Sequence, residues 1–355
     1  MESQNHYYGH SRAFAHYLGE DRPRHIAGLV QHGWTALSPV TTHFRDFPWL
    51  ASPTYRGPNR LLVWSHRSRA WDPASSAPTT AVGAPFAYEA VSRGLENGPR
   101  GEGTVILPVH GIETQAISGD HHAAARRWFD SEGPSTVSIY WSDARDERLV
   151  DAYREAGHRC VTLGARTDPD FLARLVGLIA SSARVVSNRL STPVVYAAWL
   201  GRSVGVYGDP MLLDSEDQSA LERLERKWPE LYGYETDDDA ARAVATDELG
   251  AGDLLAPDAL RRALGWERRR VAPFARHWTT SPVERALVNV RRRSAPAPAP
   301  AAPKPVGGEQ KPAPVASGID LAWLSAATSY LPRPLGGART SSSQPIELDG
   351  SAPAD

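Results

Sequence analysis

Five short apolar, β-branched runs constrain this chain most: TVILPVH (104–110), STVSIYW (135–141), HRCVTLG (158–164), ARVVSN (183–188) and RSVGVYG (202–208). Segments of helical pattern alternate with them: DHHAAARRWFDSE, DARDERLVDAYREAG, DPDFLARLVGLIASS and TPVVYAAWLG. Continuous apolar runs of this length suit strands buried on both faces. Alternation with helices makes βαβ units around a parallel sheet. Asp120, Asp143 and Asp168 stand where N-caps or first-turn acids belong, and Gly157 and Gly201 where helices end. The spacing predicts a doubly wound α/β domain over residues 101–293. Its part after residue 211 reads as mostly helical, best in SALERLERKW (219–228) and PDALRRALGWERRRV (257–271).

The first hundred residues are less regular. RHIAGLVQHGW (24–34), NRLLVWSHR (59–67) and TTAVGAPF (79–86) read as strands and AYEAVSRGL as a helix, which makes residues 1–100 a smaller α/β lobe. From Ser294 the composition turns to SAPAPAPAAPKPVGGEQKPAPVASG, too poor in apolar surface to offset its ordering entropy. Residues 294–355 are therefore expected to be a disordered Pro/Ala-rich tail. One apolar island, IDLAWLSAATSYLPRPLG (319–336), is suited to dock back or to bind a protein or membrane partner. Hydrophobic residues make up 41% and the net charge is −2, which supports a real core and argues against a nucleic-acid partner. A lone cysteine, Cys160, fits a reducing compartment. The N-terminal MESQNHYYGHSRAF lacks an apolar signal core, and no apolar run reaches about 18 residues. The expected location is cytoplasmic, with room for peripheral attachment at the inner face of the cell membrane.

Ligands of open parallel sheets sit beyond the carboxyl ends of the strands, where strand order reverses. Two strands deliver a His-Gly pair there, His110-Gly111 in the large domain and His32-Gly33 in the small lobe. The fourth strand of the large domain ends at Ser187-Asn188, followed by Arg189. The fifth ends at Tyr207 and Asp209. Ser191 and Thr192 open a helix with Pro193 in its first turn. Free N–H groups, the helix dipole and two hydroxyls make that start a candidate phosphate site.

Two such lobes, a histidine after the first strand of the larger one and a Ser/Thr pair at its fourth-strand helix resemble the GT-B glycosyltransferases of bacterial surface polysaccharides. The pattern is similar to the bacterial sialyl- and polysialyltransferases, the capsule Kdo transferases and the CDP-glycerol glycerophosphotransferases of teichoic acid synthesis. The sialyltransferase group carries a His-Pro pair and a Ser-Ser/Thr pair on its cytidine nucleotide; His110-Gly111 and Ser191-Thr192 stand at the matching places. The His-Gly of the glycerophosphotransferases resembles LVQHGW, which gives His32. The likeness spans roughly residues 25–270. Gly111 stands where that group has proline, and the first lobe has no Asp/Glu-Asp/Glu-Gly motif.

The resemblance implies metal-independent transfer of a sugar or glycerophosphoryl group from a nucleotide-activated donor, with a cytidine nucleotide as one choice, to a glycan or lipid-linked acceptor. No cofactor is expected. His32 would be the base or bind the acceptor, His110 would contact the donor phosphate or ribose, and Glu113 would bind a ribose hydroxyl or act as a base. Arg189 would pair with the leaving phosphate, and Tyr207 and Asp209 would line the donor pocket. Two rival readings stand beside this one. His110, Glu113, Asp120, His121 and His122 are metal-ligand types within a short span and would suit a metal-dependent phosphoesterase, although adjacent histidines on a helix point about 100° apart. The third reading is a non-catalytic two-lobe binding protein.

Overall fold

A computed structural model describes residues 2–24, 26–42, 61–66, 79–110, 117, 119–212, 218–267 and 342–348. The first lobe holds a parallel sheet of β1 (Leu29–Val30), β2 (Leu61–Val63) and β3 (Thr79–Ala81), in that order. These strands are shorter than the apolar runs suggest. The run 79–86 ends at Ala81, because Pro85 opens helix α3 (Pro85–Ser92), where a missing N–H is harmless. Helix α1 (His10–Tyr17) packs on α3 and sends Phe14 and Ala15 into the core of this lobe, and the short α2 (Pro39–Thr42) follows β1 along the chain.

The second sheet carries β4 (Thr104–Ile106), β5 (Thr136–Ser138), β6 (Arg159–Thr162), β7 (Arg184–Ser187) and β8 (Ser203–Val206), one from each predicted run. Helices α4 (His121–Glu132), α5 (Glu147–Glu155), α6 (Phe171–Ala180) and α7 (Thr192–Trp199) alternate with them. The order β8-β7-β4-β5-β6 is parallel throughout, so the direction of winding reverses between β4 and β7. The strands are buried on both faces, as their continuous apolar runs require. Helix α6 begins after Asp170 rather than Asp168, whose carboxylate instead accepts the Asp170 N–H.

Helices α8 (Gln218–Lys227), α9 (Asp238–Leu249) and α10 (Pro257–Leu264) complete the predicted helical stretch. Leu260, Leu264 and Trp266 return to the first lobe and bury against Phe14, Ile26, Val30 and Leu62. One part of the tail departs from expectation. Within the segment read as disordered, β9 (Ile346–Glu347) adds an antiparallel edge strand to β6. Its sequence is too short to announce a strand; pairing with an existing edge supplies the order. The island 319–336 and most of the Pro/Ala-rich tail lie outside the described residues. No helix among the described residues is long and apolar enough to cross a membrane.

Candidate functional site

The crevice between the ends of β4 and β7 is where a doubly wound sheet receives a ligand. Here Ser187 and Asn188 are buried and occupied with backbone. The Ser187 hydroxyl donates to the Leu107 carbonyl at 2.6 Å. Asn188 accepts the Val109 N–H at 2.8 Å through Oδ1 and donates to the Asp209 carbonyl at 2.8 Å through Nδ2. These two side chains thus fix the loops after β4 and β8 against β7. The Asp209 carboxylate accepts the Met211 N–H at 3.0 Å in a local turn. Tyr207 points elsewhere. Its hydroxyl donates to Glu132 at the far end of α4, a carboxylate that also holds Thr104 and Arg184 at the starts of β4 and β7. Burial, then the Glu132 bond, pushes the phenol pKa up. Its hydroxyl is therefore aimed away from the carboxyl ends of the strands.

His110 lies flat on Tyr140, ring centres 4.0 Å apart and 18° from parallel. Tyr140 in turn faces the phenol of Tyr8, whose pKa is raised first by burial and then by Tyr140. The Tyr8 N–H donates to the Arg166 carbonyl at 2.6 Å, and the Arg166 guanidinium sits 5.0 Å over the ring of Tyr7. Tyr7 meets His32 edge-on at 6.0 Å. Histidines from the loops after β1 and β4 are thereby joined along one strip: His32, Tyr7, Tyr8, Tyr140, His110. Sequence reading missed Tyr7, Tyr8, Tyr140 and Arg166. The available signal was the aromatic pair before glycine in NHYYGH. Tyr8 takes the left-handed backbone conformation (φ 56°, ψ 20°), and Gly9 follows it there at φ 73°. That conformation is costly for a bulky residue, and such strain concentrates at working sites. A Cβ on Gly9 would lie 2.4 Å from the Pro169 carbonyl oxygen, so only glycine fits the turn.

The pKa of His32 is lowered to about 4, first by burial and then by the positive charge of Arg166. Such a pKa makes His32 a weaker base than a histidine that titrates near neutral pH. A neutral imidazole here accepts or donates a hydrogen bond and holds a proton weakly.

The loop after His32 docks on the start of α7. The Trp34 N–H donates to Thr192 Oγ1 at 3.0 Å, and its indole N–H donates to Glu248 on α9 at 2.7 Å. Trp228 gives its indole N–H to the same carboxylate at 3.3 Å and meets Trp34 edge-on. Thr192 is therefore engaged between lobes, whereas the hydroxyl of Ser191, the N-cap, makes no capping bond. Arg189 acts electrostatically on Tyr232.

The GDHH stretch is a helix start. Asp120 caps α4 by accepting the Ala123 N–H at 3.0 Å, which holds its carboxyl below the usual range. His121 turns edge-on to Tyr153, and His122 is exposed. Among the described residues, no three His, Cys, Asp or Glu side chains are grouped to hold one metal ion. Gly111 and Glu113 lie outside the described residues.

No family model matches the chain, and no curated protein matches it. Among solved structures, one match is described as the crystal structure of AviGT4, a glycosyltransferase involved in Avilamycin A biosynthesis. It is 18% identical over 66% of this chain and 63% of that one, with a TM-score of 0.25. The chain thus spans less than two thirds of that protein's length.

Proposed function

We propose that the chain transfers a sugar or glycerophosphoryl group from a nucleotide-activated donor to a glycan or lipid-linked acceptor, without a resident metal, in the manner of a GT-B enzyme. The observation that carries this reading is the aromatic strip joining His32, in the loop after β1 of one parallel sheet, to His110, in the loop after β4 of the other, with Arg166 beside it. A two-substrate transferase needs such a meeting of lobes, because the cleft between them can hold donor on one side and acceptor on the other.

In this reading His110 and Tyr140 present a flat face to the donor. The hydroxyl of Ser191, at the positive end of α7, and the guanidinium of Arg166 hold the leaving phosphate. His32, neutral, orients the acceptor hydroxyl. For sugar transfer, the acceptor oxygen bonds to the anomeric carbon. The bond from that carbon to the phosphate oxygen breaks, and its electron pair stays on the phosphate. The acceptor proton ends on the departing phosphate. The His32 imidazole, with its pKa lowered to about 4, is too weak a base to retain it.

Melting of the purified chain with CMP, CDP, UMP, UDP and GDP, with and without EDTA, tests the reading. A pyrimidine nucleotide should raise the melting temperature regardless of EDTA, and His110→Ala and Arg166→Ala should each remove the rise. Stabilisation by manganese or zinc alone, with no response to nucleotides, would overturn it.

A further inference from the structure

The tail strand β9 lies in a site shaped to receive it. Its backbone pairs with β6 through Val161–Glu347 and Thr162–Ile346, and the Leu348 N–H donates to the Cys160 carbonyl at 3.0 Å. Arg159, the first residue of β6, grips the Glu347 carboxylate, with Nε–Oε2 at 3.2 Å. Arg154 on α5 donates to the Leu348 carbonyl. The Leu348 side chain packs against the cluster of Val150, Tyr153 and Cys160. A separate feature lies on α6. Gly177 sits inside that helix, where glycine is a poor helix former. A Cβ there would lie 2.4 Å from the Ser343 carbonyl oxygen, so the missing side chain is the notch through which the tail crosses.

We propose that the β6 edge, the Gly177 notch and the arginine pair form a strand-receiving site for an extended segment with an acidic residue between two aliphatic ones, and that residues 342–348 are its exchangeable occupant. Main-chain pairing gives such a site its hold, and alternate side chains give it selectivity. Arg159 reads the acid and the α5–β6 cluster reads the second aliphatic residue. Exchange follows from how little is buried. Ile346 and Glu347 both stay exposed, the Arg159–Glu347 pair is open to solvent, and residues 268–341 tether the segment to the body. A tethered ligand of modest hold is displaced by the same segment supplied in excess from another molecule. While docked, it also covers a sheet edge that would otherwise invite pairing between copies.

The test uses the full chain as wild type, Leu348→Asp and Gly177→Ala, with a fluorescent peptide of the sequence SSQPIEL (residues 342–348). The peptide should bind Leu348→Asp saturably and wild type at least tenfold more weakly, since wild type carries its own occupant. A Glu347→Lys peptide should bind Leu348→Asp at least tenfold more weakly than the native peptide. Gly177→Ala, which favours helix, should keep or raise the melting temperature while amide exchange across 342–348 speeds up at least tenfold. Absence of peptide binding to Leu348→Asp, equal binding of the two peptides, or unchanged exchange in Gly177→Ala would each overturn the proposal.

Discussion

A histidine buried beside an arginine links protonation to folding. His32 has a folded-state pKa of about 4, below the ~6.5 of an unfolded chain. Between those values the unfolded chain binds more protons than the folded one. Stability contributed by the neutral imidazole is therefore complete above about pH 6.5, falls as pH drops, and levels off below about 4. A tenfold change in proton affinity corresponds to about 1.4 kcal/mol, so the loss attributable to this one group reaches about 3 kcal/mol. Urea unfolding of wild type and His32→Gln at pH 7, 5.5 and 4.5 measures it. The gap between the two proteins should shift by about 2–3 kcal/mol in favour of the glutamine variant on acidification. Parallel pH profiles would show that His32 protonates freely in the fold. Glu89 titrates in the same direction at lower pH. Burial alone would raise its carboxyl, but bonds to His16 and Arg93 outweigh that and hold the pKa down. Comparing wild type with variant cancels its contribution.

At the start of α7 two adjacent hydroxyls, expected together to bind a phosphate, have separate work. Thr192 accepts the Trp34 N–H across the lobes, and Ser191 makes no capping bond. Thr192→Val should cost about 1–3 kcal/mol of stability, the range for stranding a donor, and leave nucleotide affinity almost unchanged. Ser191→Ala should change stability little and weaken nucleotide binding by about 1–3 kcal/mol. Denaturant midpoints beside nucleotide titrations separate the two, and a reversed pattern would return the phosphate to Thr192. What could be read from sequence divides along the same line. The five large-sheet strands were legible because burial on both faces leaves a continuous apolar run. The cap at Asp120 was legible because it is local. Engagement of Thr192 by Trp34, the Tyr7–Tyr8 strip and β9 were not, since each depends on residues far along the chain meeting in space. Tyr207 misled for a related reason. Its position at a strand end was correct, but the side chain's direction is set by Glu132 and Trp128 on α4.

Across the whole molecule the two sheets share hydrophobic packing. Phe86 of α3 stacks on Tyr196 of α7 at 4.0 Å and 6°. Trp64, which follows β2, lies in the same cluster as Val185 and Leu175 of the large sheet and its helices. In the other direction, Leu260, Leu264 and Trp266 of the helical return complete the core of the first lobe. The first lobe does not close its own core, and one face of the large sheet packs on first-lobe residues while the other has a cluster of its own, so unfolding either lobe exposes apolar surface of the other. Glu248 is the polar member of this junction, buried with an oxygen on each of two indoles. Glu248→Ala removes the acceptor for both and should cost about 2–6 kcal/mol, about 1–3 for each indole donor left unmatched. Glu248→Gln keeps one acceptor oxygen and should cost less. In urea, wild type and both variants should unfold in one transition, with far-ultraviolet circular dichroism and tryptophan fluorescence changing together. If Glu248→Ala instead split the transition, with fluorescence changing ahead of helix content, the lobes would be separately stable bodies. The cleft between them would then owe its geometry to the Trp34–Glu248–Trp228 contact rather than to a shared core.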